Sequence, residues 1–335
     1  MATFSESRYK SMLYNRCGRW SVKLPAISLG AWQTYGGYVD EATSKRCLFR
    51  AFDLGITHFD FANNYGEPNG NAEAVCGKII KEMPRNELLI SSKAGYYMWP
   101  GPYGEWLSRK YLLSSLDDSL KRLQLDYVDL FYAHRPDPNT PTDEVMDALD
   151  QAVRSGKAIY AGVSNFDGDD VRAKNAHAVT YHTARPIINQ VRYHMFERKV
   201  EQDTLKACSE SGLGVIAYCP LAQGLLTDKY LNEVAPADSR LGRSVDVCAK
   251  RLANREPIAR AQKLNTIAKR RGQTLAQMAI VWLLRRPEMT SVLIGASRPE
   301  QIEENVAALK NATFSTEELA EIEAVLGNTE DIATL

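Results

Sequence analysis

The chain reads as an α/β protein built on a closed (β/α)8 barrel with an N-terminal β-hairpin cap. Short β-rich runs alternate with helical patterns, and the alternation repeats eight times. Gly55, Gly156 and Gly212 each end a helical pattern directly before a strand-like run, where a left-handed C-cap turns the chain back toward the sheet. A doubly wound sheet would usually open with GxGxxG after its first strand, but here AISLG runs into AWQTYGG. At 335 residues the length fits one such barrel or two smaller domains, and the strand count selects one barrel domain over 1–335.

Taken in order, YNRCGRWSVKLP places a Cys-Gly pair between two short extended runs, which predicts a hairpin at about residues 14–25. The repeat then starts: AISLG with EATSKRCLFRAFDLG, THFDFA with GNAEAVCGKIIKE, LLISSKAG with SRKYLLSSLDDSLKRL, and VDLFYAH with TDEVMDALDQAVRSG. The second half continues with AIYAGVSN and DDVRAKNAHAVTYH, then IINQVRY and VEQDTLKACSESG. GVIAYCP is followed by REPIARAQKLNTIAKRRG and LAQMAIVWLLRR, and SVLIGAS by PEQIEENVAAL. Two stretches interrupt the rhythm. YYMWPGPYGEWL, rich in aromatics, glycine and proline, suits a loop folded over a pocket mouth. QGLLTDKYLNEVAPADSRLGRSVDVCAKRLANRE is too long for a plain connector. Both follow strand carboxyl ends, so both are expected on the face where such a barrel carries its chemistry.

Composition narrows the function. Basic and acidic residues balance at 41 each, so no net field favours nucleic acid or an anionic membrane surface. The six cysteines are scattered without metal-type or redox-type spacing and are expected to be reduced thiols. MATFSESRYKSML lacks the apolar core of a secretory signal, and no run approaches the ~20 apolar residues that span a bilayer, so a cytoplasmic protein without membrane insertion is expected.

Asp60, Tyr65, Lys93 and His134 fall at or just beyond the carboxyl ends of THFDFANNY, LLISSK and VDLFYAH. A tyrosine, a lysine, an aspartate and a histidine gathered on that rim form a proton-donating site. The other histidines lack a partner pattern: strand alternation is expected to turn His58 away from Asp60, His177 and His182 lie on a helix or its end, and His194 is in a loop. No HxxxH or His/Cys grouping argues for a metal.

FDFANNYG, SSKAGY, DLFYAHRPD, GVSN, CPLAQGLL and IGASRPEQIEEN, in this order over nearly the whole chain, resemble the aldo-keto reductase superfamily. Within it, KAGYYMWPGPYG and SRKYLLSSLDDSLKRL are similar to bacterial L-glyceraldehyde 3-phosphate reductases, and HRPDPNTP and RYHMF to potassium-channel β subunits. The resemblance implies a TIM-type barrel that reduces small aldehydes, such as glyceraldehyde 3-phosphate or methylglyoxal, with NADPH. The alternative it leaves is a channel-β-like protein that binds NADPH, turns over slowly and acts through a partner. A homo-oligomer is implied in either case.

Aldehyde reduction needs a hydride on carbon and a proton on the developing alkoxide, and Tyr65 is the candidate acid. A lysine ammonium ~4 Å away favours the phenolate by roughly 4 kcal/mol at an effective dielectric of ~20, so Lys93 is expected to draw Tyr65 toward neutrality. Asp60 would keep Lys93 charged, and His134 would orient and polarise the carbonyl oxygen. Channel β subunits carry asparagine at the His134 place, so His134 favours the catalytic branch. For the cofactor, the resemblance implies that Ser164, Asn165 and Gln190 hydrogen-bond the carboxamide while Tyr218 stacks on the nicotinamide, with Trp32 and Asp60 also in contact. Pro220, Leu221, Gly224, Lys229 and Arg240 would serve the pyrophosphate and the dinucleotide beyond it. Gly295, Ser297, Arg298 and Gln301 would form a phosphate site at a helix N-terminus, with Glu304 and Asn305 on the adenine; arginine there favours NADPH over NADH. Trp32, Tyr65, Trp99 and His134 would wall the substrate pocket, with Arg135 as a partner for a substrate phosphate.

Overall fold

The structure is a computed structural model that describes residues 3–232 and 255–327. Two short strands, β1 (Tyr14–Arg16) and β2 (Lys23–Pro25), pair antiparallel with Asn15 opposite Leu24, as the Cys-Gly turn between them predicts. Gly18 sits in that turn at φ +55°, and a Cβ there would stand 2.3 Å from the Gly212 carbonyl oxygen. Only glycine fits so close an approach.

After the hairpin come β3 (Ile27–Gly30), β4 (His58–Asp60), β5 (Leu89–Ala94), β6 (Val128–Ala133), β7 (Ala158–Ser164), β8 (Pro186–Arg192), β9 (Gly214–Tyr218) and β10 (Met289–Ile294). All neighbours are parallel, and β10 pairs with both β3 and β9, which closes the eight-stranded barrel. Strands covered on both faces need few exposed positions. Accordingly every residue of β5 and β10 is buried.

The helices alternate with the strands: α1 (Glu41–Asp53), α2 (Asn71–Ile80), α3 (Arg109–Leu123), α4 (Thr142–Arg154), α5 (Gly168–Tyr181) and α6 (Thr204–Ser211). Beyond β9 lie α7 (Arg255–Arg270) and α8 (Leu275–Leu284), and beyond β10 lie α9 (Pro299–Ala307) and α10 (Thr316–Leu326). Three of the starts carry a single side-chain cap on an otherwise unpaired N–H group: Asp40 on Thr43, Ser108 on Tyr111, Asp167 on Asp170. Thr274–Gln277 and Ser315–Glu318 form capping boxes at α8 and α10. Gly55, Gly156 and Gly212 take the left-handed conformation that the repeat requires, at φ +87°, +74° and +75°. Among the described residues no helix is long and apolar enough to cross a membrane.

Two apolar layers result. The larger lies between strands and helices and includes α8, whose Trp282 is fully buried. The smaller fills the barrel, with Leu89, Leu130, Tyr132, Ile188, Ile216 and Leu293 meeting Cys17 and Leu24 of the hairpin. The hairpin covers the amino ends of the strands: Asn15 Nδ2 donates to the Thr290 carbonyl at 3.0 Å, and Cys17 Sγ to that of Ile187 at 3.2 Å. The hairpin covers that end, and the carboxyl rim is where such a barrel carries its chemistry.

Candidate active site

Asp60, Lys93 and His134 stand on adjacent strand ends, and Tyr65 follows β4 in the next loop, so barrel closure brings all four together. Lys93 Nζ lies 2.5 Å from Asp60 Oδ2, donates to the Phe61 carbonyl at 2.7 Å and reaches Tyr65 Oη at 3.4 Å. The other carboxylate oxygen, Oδ1, accepts from Ser91 Oγ at 2.6 Å and from Gln190 Nε2 at 3.1 Å. Asp60 and Lys93 are fully buried. Tyr65 and His134 retain 8% and 6% exposure, enough to face the rim, with ring centroids 5.9 Å apart.

Burial sets the electrostatics. It pushes the Lys93 ammonium down against the pull of Asp60, and it holds His134 well below the usual imidazole range, helped by the charges of Lys93 and Arg135. His134 is therefore a neutral imidazole. The expectation that Lys93 draws Tyr65 toward neutrality is reversed: burial pushes the phenol well above its ordinary value, and Asp60 adds to the push. The reason is that Asp60 matches the Lys93 charge at 2.5 Å, so the phenol faces a nearly neutral pair while desolvation acts in full. Tyr65 is held as the protonated phenol.

His58 also departs from expectation. Residues two apart in a strand share a face, so His58 points into the barrel with Asp60, and its ring contacts Ser28 and Ser91. Applied with the correct period of two, alternation would have found it.

On the opposite arc of the rim, Tyr218 Oη donates to Asn165 Oδ1 at 2.8 Å, and Asn165 Nδ2 donates to the His134 carbonyl at 3.1 Å and to Ser164 Oγ at 3.2 Å. Ser164 and Gln190 are buried and Tyr218 is half-buried at the end of β9. Pro220 and Leu221 lead into a tight turn at Ala222–Gly224, where Gly224 takes φ +102° against the Tyr230 ring. Lys229 is exposed beyond it, and Arg240 lies outside the described residues. After β10, the Ser297 backbone N–H and hydroxyl both reach Gln301 Oε1, at 2.9 and 3.3 Å. Arg298 is the N-cap of α9, with its side chain 56% exposed and 4.0 Å from Glu300. Glu304 is exposed on α9 and Asn305 is buried there.

Aromatics ring the mouth. Trp32 and Trp99 are each 38% exposed, and Trp99 packs on Tyr111 with centroids 5.8 Å apart. Tyr96, not singled out from the sequence, stacks edge-on to His134 at 4.6 Å. Arg135 is not free for a substrate phosphate: Glu105 takes its guanidinium at 2.5 Å, the Gly95 carbonyl accepts at 3.0 Å, and Trp106 and Tyr96 cover it at 3.8 and 4.4 Å. It ties the loop after β5 to the strand end that carries His134.

A parallel barrel whose open rim gathers an acid, a buried ion pair and a neutral imidazole belongs to the (β/α)8 enzymes. More narrowly, the chain is a member of the aldo/keto reductase family, whose model matches residues 26–326, and it is an oxidoreductase. A protein of Escherichia coli O157:H7 described as L-glyceraldehyde 3-phosphate reductase is 50% identical over 325 residues, covering 94% of this chain and 93% of that protein. Its counterpart in Escherichia coli strain K12 is 49% identical over 324 residues, with 94% and 93% covered. An Arabidopsis thaliana protein described as "Probable voltage-gated potassium channel subunit beta" is 37% identical over 305 residues, with 89% and 91% covered.

The family generally uses a nicotinamide cofactor, and this rim suits one. A Cβ added at Gly295, just past β10, would meet no atom of the described residues within 4 Å, so among those residues the space beside the last strand end is open. Along the same arc of the rim, on β7, β8 and β9, follow the polar strand-end residues Ser164, Asn165 and Gln190 and the Tyr218 ring, and α9 starts just after Gly295. Amide, hydroxyl, aromatic and helix-terminal groups in one arc match the carboxamide, ring and phosphates of a dinucleotide.

Proposed function

We propose that this protein reduces small aldehydes to alcohols with NADPH, using Tyr65 as the proton donor. The observation that carries the reading is the Tyr65 hydroxyl 3.4 Å from an ammonium held in a fully buried pair. NADPH, when bound, supplies the hydride to the carbonyl carbon. Ser164, Asn165 and Gln190 would hold its carboxamide, Tyr218 would stack on the ring, and Arg298 would face the 2′-phosphate.

The residues then divide the work. Tyr65 donates its proton to the carbonyl oxygen as negative charge develops there, and Lys93 Nζ, 3.4 Å away, offers a hydrogen bond to the phenolate left behind. Asp60 keeps Lys93 charged and in place. His134, neutral, presents an N–H to the carbonyl oxygen without competing as a base. Trp32 and Trp99 give the substrate an apolar, water-poor wall. Glyceraldehyde 3-phosphate is the favoured substrate because the two relatives near half identity are described by that activity.

Purified protein mixed with NADPH and a panel of aldehydes, glyceraldehyde 3-phosphate and methylglyoxal among them, should consume the reduced cofactor's absorbance. Tight NADPH binding without turnover on any aldehyde would instead favour the regulatory role suggested by the channel-type relative.

A further inference from the structure

We infer that His58 is a positioning residue for this site, delivering a one-way chain of hydrogen bonds through Ser91 onto Asp60 and thereby holding the carboxylate that anchors Lys93. The inference rests on the reductase reading above for its catalytic consequence.

Five fully buried side chains from four strands line up across the barrel. Ser291 Oγ and Ser28 Oγ are 2.6 Å apart, Ser28 Oγ is 2.9 Å from His58 Nδ1, His58 Nε2 is 3.0 Å from Ser91 Oγ, and Ser91 Oγ donates to Asp60 Oδ1 at 2.6 Å. Their polarity follows from the last member. A carboxylate only accepts, so the single Ser91 proton is committed to Asp60. Ser91 must then receive its proton from His58, which puts a hydrogen on Nε2. Burial pushes His58 down to about 4, so the ring is neutral near pH 7 and Nδ1 is a bare acceptor. Nδ1 takes the Ser28 proton, and Ser28 takes that of Ser291. Every donor points toward Asp60, an alignment in which each bond polarises the next.

Leu24, Leu89, Leu130, Ile216 and Leu293 of the barrel interior offer no hydrogen-bonding side chain to a serine deprived of His58. Its hydroxyl would then be free to rotate away from Asp60. A residue that merely filled space could be replaced by leucine without consequence for the chemistry. His58 supplies an N–H on one edge and a lone pair on the other.

The test compares His58→Leu, close in bulk but without polar atoms, with His58→Gln, whose amide offers one donor and one acceptor. In NADPH-dependent aldehyde reduction, H58L should lose about tenfold in kcat, the scale of one hydrogen bond to a charged group, with KM and the NADPH dissociation constant changed less than about twofold. H58Q should recover most of that loss. Ser91→Ala, which cuts the same link and leaves the imidazole in place, should reproduce the H58L loss if H58L does not fold. Nitrogen-15 NMR of the wild-type protein should find His58 as the Nε2–H tautomer. Wild-type kcat in H58L or S91A, or an Nδ1–H tautomer, would overturn the inference. Wild-type protein that turns over no aldehyde would sink the reductase reading instead, and the tautomer would still decide the chain.

Discussion

The two arcs of the rim are built differently. On the β4–β5–β6 arc, Asp60 and Lys93 are fully buried and satisfied by short hydrogen bonds, so the acid–base groups are set before any ligand arrives. On the far arc Lys229 and Arg298 are exposed, while Ser164, Asn165, Gln190 and Tyr218 are tied by hydrogen bonds at the strand ends. The contrast teaches which cost falls where. A buried ion pair is maintained only if its geometry is fixed in advance, whereas exposed cations can be drawn onto a phosphate when it binds.

The largest break expected is at Tyr65, the proposed acid. Tyr65→Phe should lower kcat for aldehyde reduction by roughly 10²–10⁴, the range for removing a general acid, while NADPH titration by fluorescence gives a nearly unchanged dissociation constant. Loss of both together would mean that the arcs are not separable. Lys93→Met should come next, because it strands the Asp60 carboxylate. A destabilisation of about 3–5 kcal/mol is expected in urea unfolding, and a wild-type midpoint would show that the pair is not the fixed element claimed.

Acid should weaken the folded state. Burial lowers His58 to about 4, His194 to about 3, and His134 well below the usual range. Each therefore binds its proton more readily when unfolded, so stability is full above ~6.5 and declines as pH falls from there toward 4, by up to about 1.4 kcal/mol per pH unit for each group. Thermal midpoints measured from pH 7 to pH 5 should fall, and a flat profile would refute the assignment. The smallest effect belongs to the open arc: Arg298→Ala should raise the NADPH dissociation constant about tenfold and leave NADH nearly unchanged. Equal losses for the two would remove the 2′-phosphate argument.

Much of this was legible along the chain. Runs such as LLISSK and VDLFYAH appear as β5 and β6, and the left-handed glycines stand where the repeat placed them. The rim positions of Asp60, Tyr65, Lys93 and His134 follow from their places at strand ends. His58 shares the face of Asp60 by the strand's period of two, and that signal is local. Ser28 and Ser291 were not legible at all, since they are 263 residues apart and touch only because β10 closes on β3 with Leu293 opposite Ser28. Arg135 looked available beside His134, and only the packed loop shows Glu105 occupying it.

By itself, then, the sequence determined the order of strands and helices, the glycines that turn the chain, and the end of the barrel where the polar residues gather, because periodicity and turn chemistry are local. The tertiary structure decided what those residues are to one another. Barrel closure and register brought Ser91 and Gln190 onto Asp60, and burial reversed the expected effect on Tyr65. Hydrogen-bond partners across strands and desolvation both depend on the whole fold, and neither is written in any single segment.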